Sequence, residues 1–395
     1  MLNVMDDCTG CGACMQICPK DAIHMEEDQE GFLHPVIDDE LCIRCGLCEQ
    51  SCHALNEAAK KLPQEVCVLQ SKDEKLLEAS SSGGAFSELA RYILENNGCV
   101  YGAGWGEQFK VCHKRAENAA EMAEFRGSKY VQSDGEETFR QVKHDLASGK
   151  PVLYSGTPCQ IAGLYRYLER TRTNTEELVT CDVICHGVCS PELWKGYIEY
   201  MGNVRGEEIE TVELRNKKVG WSLPYMHIKY TGSDYYKSWD RDIFYRIFWS
   251  HNALREACYR CKYASVERIS DITLADGLGF EYIKGWDTNK GISMVMINTQ
   301  KGKQLFETIK DRVCIKEVKT DLANQPMLGE AAHRPEKRDE FWKLYQEQGF
   351  SGLAERYSKE TILFRIKHLL VKPLLRVTGL YSVTNRIYIK IIKRK

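Results

Sequence analysis

Eight of the 18 cysteines stand in two short runs near the N-terminus, at a spacing that suits iron-sulfur chemistry. The runs are Cys8-x2-Cys11-x2-Cys14-x3-Cys18 and Cys42-x2-Cys45-x2-Cys48-x3-Cys52. Three thiolates separated by two residues can surround one 4Fe-4S cube, provided that the backbone turns tightly around it. Gly10, Gly12 and Gly46 permit such a turn, because glycine reaches positive φ at little cost. The spacing therefore predicts two 4Fe-4S clusters.

The last cysteine of each run stands too close in sequence to bind the same cube as the other three. In two-cluster ferredoxins this cysteine binds the other cluster. We therefore assign Cys8, Cys11, Cys14 and Cys52 to one cluster, and Cys42, Cys45, Cys48 and Cys18 to the second. Neither cluster is complete without both runs, so the two runs form one domain. A tetrahedral zinc site would leave thiolates over, and a disulfide framework is the other alternative.

His53 follows the second run at the position where Pro19 follows the first. It can hydrogen-bond a cluster sulfur and shift the potential of that cluster. An exposed polar residue is the simpler interpretation, and we favour it.

Four later cysteines have a spacing that permits a third site. Cys159 and Cys185 each follow a predicted strand, and Cys258-x2-Cys261 follows a predicted helix. Sites in open α/β sheets form at strand ends, so we expect these thiolates to lie close together. The four of them are enough ligands for a third 4Fe-4S cluster. A zinc site and scattered buried cysteines remain alternatives, and Cys189 can replace Cys185. The remaining cysteines read as small buried apolar residues: Cys67, Cys99, Cys112, Cys181 and Cys314.

Two glycine-containing segments suggest a place where the backbone approaches a ligand. SSSGGAF (80–86) precedes a helical run, where serine and glycine can cap the free N–H groups or cradle the pyrophosphate of a flavin nucleotide. VYGAGW (100–105) either passes close to a ligand or forms a tight β-turn.

The elements that position these residues alternate along the chain. Strands are predicted at 22–26, 32–38, 66–69, 151–155, 178–184, 212–215, 225–230, 269–274 and 292–298, and helices at 86–94, 159–168, 191–201, 242–256 and 303–311. We predict an α+β protein in which a small bacterial-type two-cluster ferredoxin domain (1–58) is fused through a linker (59–65) to a larger α/β flavin-binding domain with a mixed sheet (66–355). A basic amphipathic segment (356–395) ends the chain.

Composition indicates which classes of partner the protein is expected to bind and in which compartment it is expected. The formal net charge of −2 over 395 residues gives no global field that favours nucleic acid or membrane. Residues 1–7 lack the basic and apolar lead of a signal peptide, and no apolar run approaches the ~20 residues of a membrane helix. Many reduced thiolates then favour the cytoplasm. The C-terminal segment reads as a helix packed on the body, with peripheral membrane contact as the alternative.

Several segments together resemble the coenzyme F420 hydrogenase/dehydrogenase beta-subunit family, from about residue 66 to about residue 350. They are SSSGGAF (80–86), VYGAGW (100–105), FRGSKYVQSD (125–134), SGTPCQIAGL (155–164), CDVICHGVCSPELW (181–194), LRNKKVGW (214–221), CYRCKY (258–263) and SDITLADGLG (270–279). The resemblance implies a protein that holds FAD together with iron-sulfur clusters and exchanges electrons with an organic acceptor such as F420. It does not fix the substrate.

The resemblance also implies roles for individual residues. Cys159, Cys185, Cys258 and Cys261 would bind the third cluster. FAD would be held by Ser82, Gly83, Gly84, Ser128, Lys129, Tyr130, Thr157, Pro158 and Asp276. Glycine follows Asp276 where many members carry an aromatic residue, which puts the acceptor side of the pocket in doubt. As catalytic hypotheses, Lys129 would stabilise an anionic reduced ring and His186 would shuttle a proton.

Two functions follow from these expectations. The first is an FAD-dependent iron-sulfur oxidoreductase that reduces or oxidises a small organic molecule. The second is an electron-transfer adapter that docks on a larger oxidoreductase and has no substrate of its own. Both imply a redox partner, either a ferredoxin or an oxidoreductase subunit.

Overall fold

The computed structural model describes residues 5–221, 224–280, 282–318 and 325–359. In chain order the strands are β1 (Ile23–Glu27), β2 (Leu33–Ile37), β3 (Glu65–Ser71), β4 (Cys99–Trp105), β5 (Val111–Ala116), β6 (Val152–Gly156), β7 (Leu178–Val183), β8 (Ile209–Asn216), β9 (Tyr225–Tyr230), β10 (Asp234–Ser238), β11 (Ile272–Asp276), β12 (Ser293–Ile297) and β13 (Val313–Glu317). The helices are α1 (Ala13–Gln16), α2 (Leu47–Gln50), α3 (Glu74–Ala79), α4 (Ala85–Glu95), α5 (Ala119–Ala123), α6 (Thr138–Ala147), α7 (Pro158–Arg170), α8 (Pro191–Arg205), α9 (Ile243–Trp249), α10 (Gln300–Glu307) and α11 (Arg338–Ser358). None of the helices in these ranges has the length and apolar character needed to cross a membrane.

Eight strands form one mixed sheet in the order β13-β3-β12-β11-β7-β6-β4-β5. The four central strands β11, β7, β6 and β4 run parallel, and the outer strands pair antiparallel. The carboxyl ends of the parallel strands therefore meet at one edge of the sheet. This architecture confirms the predicted α+β class with a mixed sheet.

Helices cover both faces of this sheet, and the strands alternate their side chains between the two cores. On one face, Leu89 of α4 and Phe306 of α10 pack with Val100 and Leu153 from the centre of the sheet. On the opposite face, α6 and α7 pack on the neighbouring strand residues, including Tyr154. Two-sided burial explains why the parallel strands read as nearly continuous apolar runs.

A third core lies beneath a separate antiparallel sheet of β10, β9 and β8. Helices α8, α9 and α11 pack there around Trp194, Phe244 and Phe350. Most of the aromatic residues between 221 and 249 belong to this core, which makes their main role one of packing.

The N-terminal part consists of the β1–β2 hairpin and the short helices α1 and α2. Ala13 and Ile17 are buried in the same core as α6 and α7. Gln16 caps the first turn of α6, where its Oε1 accepts the Phe139 N–H at 2.8 Å. Arg166 of α7 donates to the Gln50 carbonyl at 2.8 Å. The N-terminal part is therefore packed directly on these two helices.

The structure corrects three expectations about elements. VYGAGW is neither a turn nor a loop, because it forms β4, where the ring of Phe125 lies against Gly102. The helix predicted at 242–256 ends at Trp249, and a 3-10 turn at Glu256–Arg260 follows it. Strands β5, β10 and β13 and helices α1, α2, α3, α5, α6 and α11 were not predicted. The basic segment 356–395 lies outside the described residues from 360 onward.

Candidate functional site

The four cysteines assigned to the first cluster line one cavity, together with Thr9, Gly10 and Gly12. We call Cys8, Cys11, Cys14 and Cys52 the inner cysteine group. Gly12 adopts φ 75° immediately before α1, which turns the loop around the thiols. Three of the four are brought together from one loop, and Cys52 reaches them from the second run.

Burial and mutual repulsion set the electrostatics of the inner cysteine group. Burial is the main reason that the pKa of Cys11 is raised to about 12, and repulsion from the thiolates of Cys52, Cys8 and Cys159 contributes to this shift. Burial and the same kind of repulsion hold the pKa of Cys14 well above its ordinary value. The pKa of Cys8 is instead lowered, because a hydrogen bond to His34 and the charge of Arg255 outweigh its burial. Bound iron would offset this crowding of negative charge.

The remaining N-terminal cysteines lie nearer the surface, and we call Cys18, Cys42, Cys45 and Cys48 the outer cysteine group. Cys45 is exposed and the other three are half-buried. Gly46 adopts φ 73° before α2, as Gly12 does before α1. Two apolar neighbours of Cys42, Leu41 and Ile43, are 53% and 58% exposed. Cys45 and these two neighbours therefore make the outer cysteine group the more accessible of the two to solvent or another protein.

The later cysteines meet at the carboxyl edge of the parallel strands, as their sequence context predicts. Cys159 opens α7 directly after β6, and Cys185 follows β7. Cys258 and Cys261 approach from the 3-10 turn. Burial raises the pKa of Cys159 to about 11 and that of Cys258 to about 12, and charge repulsion with neighbouring thiolates of the set adds to both. We call these four the sheet-edge cysteine group.

The other cysteines have surroundings that suit packing. Cys67, Cys99, Cys112 and Cys181 are buried, as expected for small apolar residues, whereas Cys314 is only half-buried. Cys189 is fully buried in the core beneath the small sheet. Within the described ranges, no three His, Cys, Asp or Glu side chains meet at distances suited to a single metal ion.

The inner cysteine group packs against α7, the helix that begins beside Cys159 of the sheet-edge cysteine group. A Cβ atom built on Gly163 would lie 2.7 Å from the Cys11 Sγ, so only glycine lets the loop approach this closely. Thr9, in the same loop, lowers the pKa of Cys159 through a side-chain hydrogen bond.

His53 is buried between the two parts of the chain, which overturns the expectation of an exposed residue. Its Nε2 lies 2.8 Å from the Thr9 hydroxyl and its Nδ1 lies 2.9 Å from the Tyr263 hydroxyl. Burial lowers the pKa of His53 to about 4, so the ring is neutral at neutral pH. Its role is to join the inner cysteine loop to the segment that carries Cys261.

A charged group lies beside the sheet-edge cysteines, where β11 ends. Asp276 pairs with Arg215 at 2.7 Å, and Arg215 also donates to the Tyr130 hydroxyl at 3.2 Å. The Arg215 Nε is buried without a hydrogen-bond partner. His186 is close enough for Asp276 and Arg215 to affect it, although burial is the main reason that its pKa is lowered to about 4.

Lys217 connects this charged group to the SGG segment. Its Nζ donates to the carbonyls of Leu77 and Lys290, both at 2.6 Å, and to Ser82 at 3.3 Å. Burial, and then repulsion from Arg215, lower the pKa of Lys217 to about 8. Two cations thus stand between the SGG segment and Asp276. Sequence reasoning did not select either cation, although both belong to the LRNKKVGW segment.

The remaining predicted residues are spread over the same edge. Gly83 packs so closely on β3 and β12 that an added Cβ would lie 2.3 Å from the Leu69 carbonyl oxygen. Ser128 is exposed. Thr157 is the N-cap residue of α7, and Pro158 is the first residue of that helix. Lys129 is buried, and its Nζ donates to the Glu124 and Arg126 carbonyls at 2.8 and 3.1 Å.

Burial is the main reason that the pKa of Lys129 is lowered to about 7. Because two of its three donors serve backbone carbonyls, this lysine holds the loop that leads to Tyr130 as well as offering a charge.

Two family models match the chain. Residues 149–322 match the model for the C terminus of the coenzyme F420 hydrogenase/dehydrogenase beta subunit, and residues 7–55 match the "4Fe-4S dicluster domain". The first range contains the sheet-edge cysteine group, and the second contains the inner and outer groups.

Curated relatives match a short part of the chain. An iron-sulfur subunit of the CoB--CoM heterodisulfide reductase of Methanocaldococcus jannaschii is 41% identical over 58 residues, 11% of this chain and 9% of that protein. The 7Fe ferredoxin of Hydrogenibacillus schlegelii is 39% identical over 51 residues, 12% of this chain and 59% of that protein. The chain thus spans less than two thirds of the length of either relative.

Among solved structures, one chain of the F420-reducing [NiFe] hydrogenase complex from Methanosarcina barkeri is similar, with 17% identity and a TM-score of 0.47. The similarity covers 75% of this chain and 92% of that one. Residues 149–322 are thus similar to the C terminus of the coenzyme F420 hydrogenase/dehydrogenase beta subunit, and residues 7–55 are similar to a 4Fe-4S dicluster domain.

Proposed function

We propose that this protein is an iron-sulfur flavoprotein oxidoreductase that passes electrons between its 4Fe-4S clusters, FAD and a small organic substrate or coenzyme. The observation that carries the proposal is the close approach of Cys11 to Gly163, one turn after Cys159 in α7, which brings the inner cysteine group near the sheet-edge group. Electron transfer between clusters needs short separations, and this approach supports transfer between the inner and sheet-edge clusters, with the outer group as the proposed entry point. The twelve cysteines of the three groups are the proposed ligands.

The proposed FAD site lies along the charged group at the end of β11. Arg215 and Lys217 supply positive charge between the SGG segment and Asp276, which suits the pyrophosphate of a dinucleotide. The buried Arg215 Nε has no hydrogen-bond partner, which supports the binding of an anionic or polar ligand group beside it. When bound, FAD supplies the ability to accept electrons singly or in pairs.

The chain's own residues would hold and orient this group. Arg215 pairs with Asp276, and the Tyr130 hydroxyl accepts from the same guanidinium. A pKa of about 7 means that Lys129 can carry or lose a proton near neutral pH, as its proposed role near the flavin requires. His186, which is neutral at pH 7, remains the proposed proton carrier.

The remaining parts of the proposal concern organisation and partners. We propose a ferredoxin domain at 1–58, a linker at 59–65, a flavin domain at 66–355 and a basic segment at 356–395 that packs on the body or contacts a membrane surface. A cytoplasmic location and a redox partner protein that reaches the outer cysteine group belong to the same proposal.

The test is the flavin and iron content of anaerobically purified protein. We expect about one FAD per chain, released on denaturation, and about twelve iron atoms for three cubanes. Arg215→Gln should lower the flavin content, whereas Lys218→Gln, at an exposed neighbouring cation, should leave it unchanged. Absence of flavin after reconstitution, with iron retained, would refute the enzyme and leave the electron-transfer adapter.

A further inference from the structure

Arg255 is a buried cation for which the described part of the chain provides no carboxylate partner. The residue is only 2% exposed. Its Nε donates to the Cys8 carbonyl, its Nη1 to Gln132 Oε1 at 3.2 Å, and its Nη2 to the Leu33 carbonyl at 3.0 Å. The Nη2 also lies 2.9 Å from His34 Nε2. These partners satisfy the donors but do not balance the positive charge.

Two other buried arginines show how the chain usually handles such a charge. Arg268 is 2% exposed and pairs with Asp182 at 3.0 Å. Arg338 is 3% exposed and binds both oxygens of Glu30. A buried charge without an opposite charge costs several kcal/mol, so pairing of this kind is the rule. Arg255 departs from that rule, and its counter-charge must come from elsewhere.

The position of Arg255 identifies where that negative charge lies. Its side chain contacts the backbone of Cys8 in the inner cysteine group. Its backbone carbonyl accepts the Cys258 N–H at 2.9 Å, so the residue also begins the turn that carries the sheet-edge group.

We propose that Arg255 is a positioning residue whose guanidinium is the shared counter-charge of the inner and sheet-edge iron-sulfur clusters, and that it raises the reduction potentials of both. The inference rests on the proposed ligand groups. Each cluster with four thiolates is anionic, and reduction adds a further negative charge. A buried cation beside two such clusters stabilises their reduced forms more than their oxidised forms, because charge interactions are strong where water is excluded.

The same contacts give Arg255 a mechanical role. Through Leu33, Cys8 and Gln132 it ties β2, the inner cysteine loop and the segment after α5 to the Cys258 turn. Charge and shape can be separated experimentally, because lysine keeps the first and loses the forked geometry.

The experiment is an EPR-monitored redox titration of the anaerobic holoprotein and of three variants. Arg255→Gln removes the charge, Arg255→Lys keeps it, and Gln132→Glu places a carboxylate beside the unaltered arginine. Gln132→Glu preserves the oxygen that accepts from Arg255 and Leu33, and it gives up only an Nε2 that has no partner. Arg338→Gln is the matched control, because it removes a paired arginine that also joins the N-terminal part to the body.

We expect Arg255→Gln and Gln132→Glu each to reduce the equilibrium constant for reduction of the inner cluster at least tenfold, a downward shift of about 59 mV for a one-electron couple. The outer cluster should keep its parent potential in every variant and serves as the internal reference. Arg255→Lys and Arg338→Gln should stay close to the parent.

Parent potentials in both Arg255→Gln and Gln132→Glu, at full iron content, would overturn the proposal. An equal shift of the outer cluster would also overturn it. If Arg255→Gln loses iron, Gln132→Glu decides the question by itself. If the parent holds only eight irons, the sheet-edge cluster of the proposed function is absent, and a shift confined to the inner cluster still tests Arg255.

Discussion

The contact at Gly163 makes a sharp prediction, because glycine in the middle of α7 is otherwise unfavourable. Replacing a helix-interior glycine with alanine normally stabilises a helix by about 1 kcal/mol. At Gly163, however, the new Cβ would lie 2.7 Å from Cys11 Sγ and 3.0 Å from Cys11 Cβ. Overpacking of this kind costs about 1–3 kcal/mol. We therefore expect Gly163→Ala to destabilise the protein by up to about 2 kcal/mol.

The size of the effect should depend on the cluster. Without iron, the short Cys11 side chain can rotate away from the added methyl group. With iron bound, the thiol is fixed and the clash remains. We expect Gly163→Ala to lose inner-cluster iron faster than the parent, and its denaturation midpoint to fall further in the holoprotein than in the iron-free protein.

Gly202→Ala provides the control. This glycine lies near the end of α8, and its added Cβ would meet nothing closer than the Glu207 carbonyl at 3.8 Å. The control should raise the denaturation midpoint and leave iron retention unchanged. The assay is anaerobic urea unfolding followed by circular dichroism, with iron release measured in parallel. A Gly163→Ala protein as stable as Gly202→Ala, with full iron, would refute the close approach.

Three further predictions follow. Cys258→Ser should lower the iron content from about twelve to about eight per chain, counting four per cubane, with Cys314→Ser unchanged as the control; a parent with eight irons would contradict the third cluster. Tyr263→Phe removes the hydroxyl that serves the buried His53 Nδ1 and should cost about 1–3 kcal/mol in urea unfolding, whereas Tyr282→Phe, at a side chain 85% exposed, should be neutral. His113 is 1% exposed and burial lowers its pKa to about 4, below the ordinary 6.5, so the unfolded chain binds its proton first as pH falls. The free energy of unfolding should therefore fall between pH 6.5 and 4, and His113 should account for about 2 kcal/mol of the loss at pH 5. His113→Gln should lose less stability than the parent between pH 7 and 5. Equal losses in the two proteins would show that His113 does not contribute.

Much of this arrangement could be predicted because cysteine spacing constrains chemistry directly. The crossing of ligands between the two runs is enough by itself to select Cys52 for the inner cavity. The turn positions of Cys159 and Cys185 likewise predict a meeting at one sheet edge, because parallel strands end together.

Other parts could not be predicted, since they depend on contacts between residues far apart in the chain. Nothing local distinguishes Arg255 from a surface arginine, and its burial arises only when β2 and the segment after α5 close around it. His53 follows a cysteine run like an exposed residue, yet Tyr263 covers it. Considered locally, Gly102 and Gly104 are compatible with a turn. The structural reason for glycine at position 102 is the packing of Phe125, which is distant in sequence.

The pairing of β3 has a consequence for how the protein is made. This strand lies between β12 and β13, so its nearest partner residues begin at Ser293, 222 residues after its end at Ser71 (293 − 71). At about 5–20 residues per second, a ribosome needs roughly 10–45 s to supply that partner. During this interval the N-terminal cysteine part can close by itself, but the apolar run at 66–69 has no strand beside it. A newly made chain therefore exposes an unpaired edge for tens of seconds, which is the condition under which chaperone capture competes with aggregation.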